Sequence, residues 1–103
     1  MEKTLYPLRG IVTVLNTPFT ADDTVALPAL ARHAEAAIQA GVAGFLVPAM
    51  AAEVYKLSEA ERRAMVETVV ATSAGRVPVI GGAGAADGTQ RLRVARAILA
   101  AGC

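Results

Sequence analysis

Cysteine occurs once in the 103 residues, at Cys103, so no disulfide can close within the chain and no thiolate metal cluster can be built from it. Aromatic residues make up only 4% and tryptophan is absent, which removes the stacking platforms that single-stranded nucleic acid needs. Charge is sparse as well. Charged residues reach 18%, the net charge is +1 and no basic run occurs, so the electrostatic footprint of a nucleic-acid binder is missing. Arg, Asp, Glu or Lys interrupts every apolar run before it reaches the roughly 18 residues of a membrane-spanning helix. Residues 1–10 carry Glu2, Lys3 and Arg9 without the apolar core of a secretory signal, and a cytoplasmic location is the expectation that follows. His33 has no second ligand at metal-binding spacing, so neither a metal nor a cofactor is expected, and His33 is read as a surface or packing residue.

Apolar residues fill the space those absences leave. They account for 54% of the chain, with Ala, Val and Leu prominent, which excludes disorder and predicts one unusually buried domain over residues 1–103. Three short β-branched runs, near 11–15, 44–48 and 77–81, read as strands. None alternates apolar with polar residues, the pattern of a strand covered on both faces in a parallel sheet. Their centres at Val12, Leu46 and Val79 recur at spacings of 34 and 33 residues, the period of a strand-helix repeat.

Helical spacing fills each interval. Leu27, Leu30, Ala34 and Ile38 define a first helix over about 27–39, with Pro28 tolerated in its first turn and Gly41 as its stop. The second helix opens at Ser58 with a capping box to Glu61, presents Met65, Val66, Val69 and Val70 inward, and ends at Gly75. The third starts near Asp87 to Thr89, is expected to bury Leu92, Ala95, Ile98 and Leu99, and stops at Gly102. Arg91, Arg93 and Arg96 then fall on a solvated outer face.

The order β-α-β-α-β-α with short turns is an α/β pattern of parallel strands with helices outside, read as the N-terminal three βα units of a (β/α)8 TIM barrel. A doubly wound open sheet is the competing architecture, but its Gly-x-Gly-x-x-Gly turn is replaced after the first strand by Asn16-Thr17-Pro18-Phe19. A whole barrel of this kind takes about 250 residues and eight units. Strands one and three would therefore present unpaired edges, and the expectation is an incomplete barrel that either continues past Cys103 or self-associates.

Barrel chemistry sits where strands run into the following helices, which directs attention to Asn16–Phe19, Pro48–Glu53 and Gly81–Ala86. The run Thr17-Pro18-Phe19, the lead-in Gly41 to Val47, the segment Ala49 to Glu53 followed by Leu57-Ser58 and Glu61-Arg62, and the stretch Arg76 to Gly82 together resemble the dihydrodipicolinate synthase and N-acetylneuraminate lyase family. The resemblance extends from Gly10 to Gly102, and its specificity lies in the order and spacing of several motifs. It implies a (β/α)8 barrel, usually a homotetramer, that joins a lysine to a 2-oxo acid such as pyruvate as a Schiff base. A desolvated lysine amine is nucleophilic, and the resulting iminium is an electron sink for making or breaking a carbon–carbon bond.

The family's signature loop, Gly-Thr-Thr-Gly-Glu, aligns with Ala49, Met50, Ala51, Ala52 and Glu53, so only the glutamate is retained. The resemblance implies that backbone N–H groups of Met50 and Ala51 receive the substrate carboxylate, while the hydroxyl functions of the threonine pair do not carry over; Thr17 and Glu53 complete the expected substrate-binding set, with ordinary loop-starting chemistry as the equal alternative for Asn16 and Thr17. The Schiff-base lysine and catalytic tyrosines of the family fall beyond Cys103, so no catalytic residue is expected within these 103 residues. Lys3 and Lys56, the only lysines present, read as exposed charges. On its own spacing Glu53 is read first as a carboxylate capping nearby backbone donors and second as an acid or base. Tyr55 is either an exposed loop aromatic or a reach toward a neighbouring subunit. The implied partners are a small 2-oxo acid and further copies of the chain, with no nucleic acid and no membrane. An inactive barrel piece serving only in assembly stays open as the alternative.

Overall fold

The computed structural model describes residues 7–103, and Lys3 lies outside the described residues. Six regular elements follow in strict alternation: β1 (Val12–Val14), α1 (Leu27–Gln39), β2 (Gly44–Val47), α2 (Glu59–Ser73), β3 (Val79–Gly81) and α3 (Gly88–Ala100). The strands form one parallel sheet in the order β1-β2-β3, with Thr13 opposite Phe45 and Phe45 opposite Val79. The strand ladders are shorter than the apolar runs that predicted them. Pro48 and Pro78 have no N–H to give, so regular pairing stops at one and begins after the other.

Sheet register sorts the side chains onto two faces. Leu15, Phe45 and Val47 enter one buried cluster with Leu30 and Ala34 of α1, Met65, Val66 and Val69 of α2, and Val94 and Ile98 of α3. All three helices therefore cover the same face. Val14, Leu46 and Ile80 lie in one row across the strands on the other face, and Val14 and Ile80 are exposed. Unbroken apolar strands predict cover on both sides; among the described residues only one side has it, because every crossover helix lies on that side. Strand β3 also has an open flank, a groove of about 350 Å³ lined by Ile80, Gly81, Ile98 and Leu99 among others.

The helix boundaries follow local chemistry. The Ser58 hydroxyl accepts from Glu61 N–H at 3.0 Å while the Glu61 carboxylate accepts from Ser58 N–H at 2.7 Å, the reciprocal box anticipated from the sequence and a feature of about 1 kcal/mol. Asp87 caps α3 in the same sense, accepting from Gln90 N–H at 2.8 Å. Helix α2 ends at Ser73, with Ala74 rather than glycine in the left-handed region at φ 50° and Gly75 following at φ 78°. Ser73 is buried and its hydroxyl donates to the Val77 carbonyl at 2.6 Å, which ties the helix end to the approach of β3.

The expected inner face of α3 holds for Ile98, which is buried, and Ala95, which is half-buried, but not for its two leucines. Leu92 and Leu99 of α3 are 53% and 65% exposed, and the buried residues are Val94 and Ile98. Val94 and Ile98 are one turn apart, and at about 100° per residue Leu92 lies roughly 200° from Val94, on the opposite side. The leucines turn away from the shared core, and Arg93 reaches back to α2, where its guanidinium donates twice to Glu59 at 2.8 and 3.0 Å. His33 is exposed on α1, as expected.

Helices α1 and α2 are joined by a forked ion pair in which Arg76, just past α2, donates to both Glu35 oxygens at 2.6 and 3.1 Å. The Arg76 guanidinium, and secondarily Gln39, holds the Glu35 carboxyl down at about 2, against an ordinary 4.5. A depressed carboxyl contributes stability that is complete above its unfolded value and disappears as pH falls through its folded one. The difference in melting temperature between the parent chain and Glu35→Gln should therefore be constant above pH 5 and close between pH 4.5 and about 2. Both partners are partly exposed, so the difference is small and salt-sensitive. A difference that persists unchanged at pH 2 would contradict it.

Candidate active site

The three segments that follow the strands gather at one end of the sheet. After β1, the chain runs through Asn16-Thr17-Pro18 into a loop closed by an antiparallel bridge between Phe19 and Val25. Thr20 organises this loop, accepting from the N–H groups of Asp22 and Thr24 while its own hydroxyl pairs with that of Thr24 at 2.7 Å. After β2, the Val47–Pro48 peptide is cis and the chain makes two single 3-10 turns, Met50–Ala52 and Val54–Lys56. Glu53 joins the turns in the left-handed region, at φ 58° and ψ 45°. After β3, Gly81 to Ala86 lead into α3.

Thr17 links the first two segments. Its hydroxyl donates to the Ala52 carbonyl at 2.7 Å, and its oxygen lies 3.8 Å from the Met65 sulfur. The first of the two turns is thus fastened to the segment after β1. Within it, Ala52 and Glu53 donate their N–H groups to the carbonyls of Ala49 and Met50. The N–H groups of Met50 and Ala51 have no acceptor among the described residues, and both residues are exposed. Two adjacent backbone donors at a strand end can receive a carboxylate whatever their side chains are.

Glu53 does not cap nearby donors, contrary to the first reading of its sequence position. Its backbone bends left-handed, its side chain accepts no cap hydrogen bond, and its nearest charge is Lys56 at 3.7 Å, with both side chains largely exposed. Its exposed side chain flanks a groove of about 290 Å³ with Phe19, Asp23 and Lys56. Lys56 is an exposed charge, as expected. Tyr55 is exposed too, and its phenol oxygen lies 3.5 Å from the point where a Cβ on Gly84 would stand, so the second and third segments touch.

In the sequence Arg62 is named only as part of a motif, with no role of its own. This side chain is 4% exposed, and its Nη1 donates to the Gly84 carbonyl at 2.6 Å, across from α2 to the third segment. The signal was present. Arg62 precedes Met65, Val66, Val69 and Ser73 at helical spacing, so it sits on the inner stripe of α2. Gly82, in a glycine run read from the sequence as a tight strand-to-helix turn, donates its N–H to the Val47 carbonyl at 3.1 Å, and a Cβ there would overlap the Pro48 carbonyl oxygen.

Parallel strands taken in sequence, each followed by a helix on the same side and by a loop at the same end, define the N-terminal portion of a (β/α)8 barrel. The chain belongs to the dihydrodipicolinate synthetase family, whose profile matches residues 7–103. It is 43% identical over 97 residues to 4-hydroxy-tetrahydrodipicolinate synthase of Sorangium cellulosum, covering 93% of this chain and 32% of that protein. The synthase of the same name from Salinibacter ruber is 35% identical over 94 residues, covering 91% and 31%. Among solved structures, YagE, a prophage protein of the dihydrodipicolinic acid synthase family from E. coli K12 in complex with pyruvate, superposes with a TM-score of 0.85 at 29% identity, over 91% of this chain and 32% of that one. The chain thus spans about a third of the length of the relatives it matches.

The close approach at Gly82 has a measurable consequence. Gly82→Ala should lose about 2 kcal/mol of stability in urea unfolding, because the strand end and the Pro48 carbonyl must move apart. An unfolding midpoint equal to that of the parent chain would show that the two loops are not packed this closely.

Proposed function

We propose that this chain forms part of a Schiff-base-forming lyase or aldolase acting on a 2-oxo acid of the pyruvate type. The single observation that carries the reading is the pair of unpartnered N–H groups at Met50 and Ala51, in the loop that aligns with the family's signature. In this reading they receive the substrate carboxylate. Thr17 holds the turn in place through the Ala52 carbonyl, and Glu53 stands at the rim. Pyruvate in the YagE structure supports the substrate class.

The chemistry belongs to a lysine that follows residue 103 in a longer product. Its neutral amine attacks the 2-oxo carbon, water leaves, and the iminium withdraws electrons from the adjacent carbon. No cofactor enters this scheme. The aliphatic side chains of Met50 and Ala51 favour a co-substrate less polar than one held by two hydroxyls, since a site lacking those donors gives up their hydrogen bonds. A homo-oligomer in the cytoplasm, tetrameric as the resemblance implies, completes the proposal. Treating a product extended past Cys103 with pyruvate and borohydride should leave one lysine carrying the reduced imine, read by mass spectrometry. An unmodified protein under those conditions would overturn the reading.

A second reading, an assembly module without catalysis, is favoured by one specific feature. The row Val14, Leu46, Ile80 and the edges of β1 and β3, which pair with no other strand among the described residues, offer apolar surface and backbone to another copy. Size-exclusion chromatography of the 103-residue chain should then show dimers or larger species. A monomer that melts cooperatively would remove the basis of this second reading.

A further inference from the structure

Arg62 is a buried cation whose one hydrogen-bond acceptor among the described residues is a neutral carbonyl. Its Nη1 reaches the Gly84 carbonyl at 2.6 Å, and its Nε–H is buried with no acceptor among the described residues. Leaving a guanidinium donor unsatisfied in the interior is costly, and a hydrophobic side chain of similar length would avoid that cost. The inner stripe of α2 needs no charge for packing, since Met65, Val66 and Val69 already fill it. What Arg62 supplies that methionine could not is the bond to Gly84.

That bond acts on the third mouth segment. Other ties hold this segment at its two ends: Gly82 N–H to the Val47 carbonyl on one side, and Ala86 N–H to the Gln90 side chain and Arg91 to the Ala85 carbonyl on the other. At Gly84, between them, the hydrogen bond comes from Arg62, and Gly84 lies against Tyr55 and Val54 of the second segment. We propose that Arg62 is a positioning residue, which pins the segment Gly82–Ala86 to α2 and so sets the wall against which the Met50–Lys56 turns rest. The pin itself is independent of the 2-oxo acid reading; only the description of this wall as part of a substrate mouth rests on it.

Hydrogen exchange on the 103-residue chain tests the pin without any substrate, so its failure is distinguishable from failure of the lyase reading. In Arg62→Met, the amides of Gly82 and Ala86 should exchange about tenfold faster or more relative to that of Phe45 in β2, while the thermal midpoint stays level or rises. Arg62→Lys, which keeps one ammonium donor, should recover part of the protection. Unchanged exchange at Gly82 and Ala86 in the Met variant would overturn the proposal. So would a uniform rise at all amides together with a lower midpoint, since that marks a merely structural residue. If the Met variant does not fold, the Lys variant is read alone: acceleration confined to Gly82 and Ala86 supports the pin, and parental or uniform exchange refutes it.

Discussion

Burial of β2 is the constraint to which the rest of the molecule answers. Phe45 and Val47 are sealed completely on the helix side, and the middle strand's backbone is paired along both edges. Parallel neighbours cannot be joined by a hairpin; each needs a crossover of a dozen or more residues, and those crossovers are the helices that cover Phe45 and Val47. The same arrangement brings all three strand-to-helix segments to one end of the sheet. A fold forced by hydrophobic burial thereby brings Thr17 against Ala52, next to the exposed amides of Met50 and Ala51.

The mouth is built more from backbone than from charged side chains. Thr17 donates to Ala52, Gly82 donates to Val47, and Arg62 donates to Gly84, so each segment is tied to the scaffold through a main-chain group. Such ties tolerate substitution of the residues they hold. The turn that carries Met50 and Ala51 is accordingly held by bonds to main-chain groups and leaves their two amides without an acceptor among the described residues.

The ion pairs lie outside this machinery. Glu35–Arg76 joins α1 to α2 beyond the α2 C-terminus, and Glu59–Arg93 joins α2 to α3. Both are partly exposed and act between helices rather than on the mouth. The uncovered face of the sheet and the groove beside β3 mark a different boundary, where this chain offers surface that its own described residues do not cover.

Much of this was legible in the linear order of residues. The spacing of three β-branched runs, the Ser58–Glu61 box, and glycines at 41, 75 and 102 are local signals, each complete within a few positions, so strand and helix identity followed without knowledge of contacts. The ordered motifs also carried the family. Three things needed the tertiary structure. Only packing could say that Val94 rather than Leu92 and Leu99 faces the core, because several faces of α3 are apolar enough to qualify. Only the tertiary structure could show that Glu53, whose backbone is left-handed, makes no capping hydrogen bond through its side chain. The bond from Arg62 to Gly84 spans 22 positions and two elements, and a contact of that kind exists only once the sheet has brought its ends together.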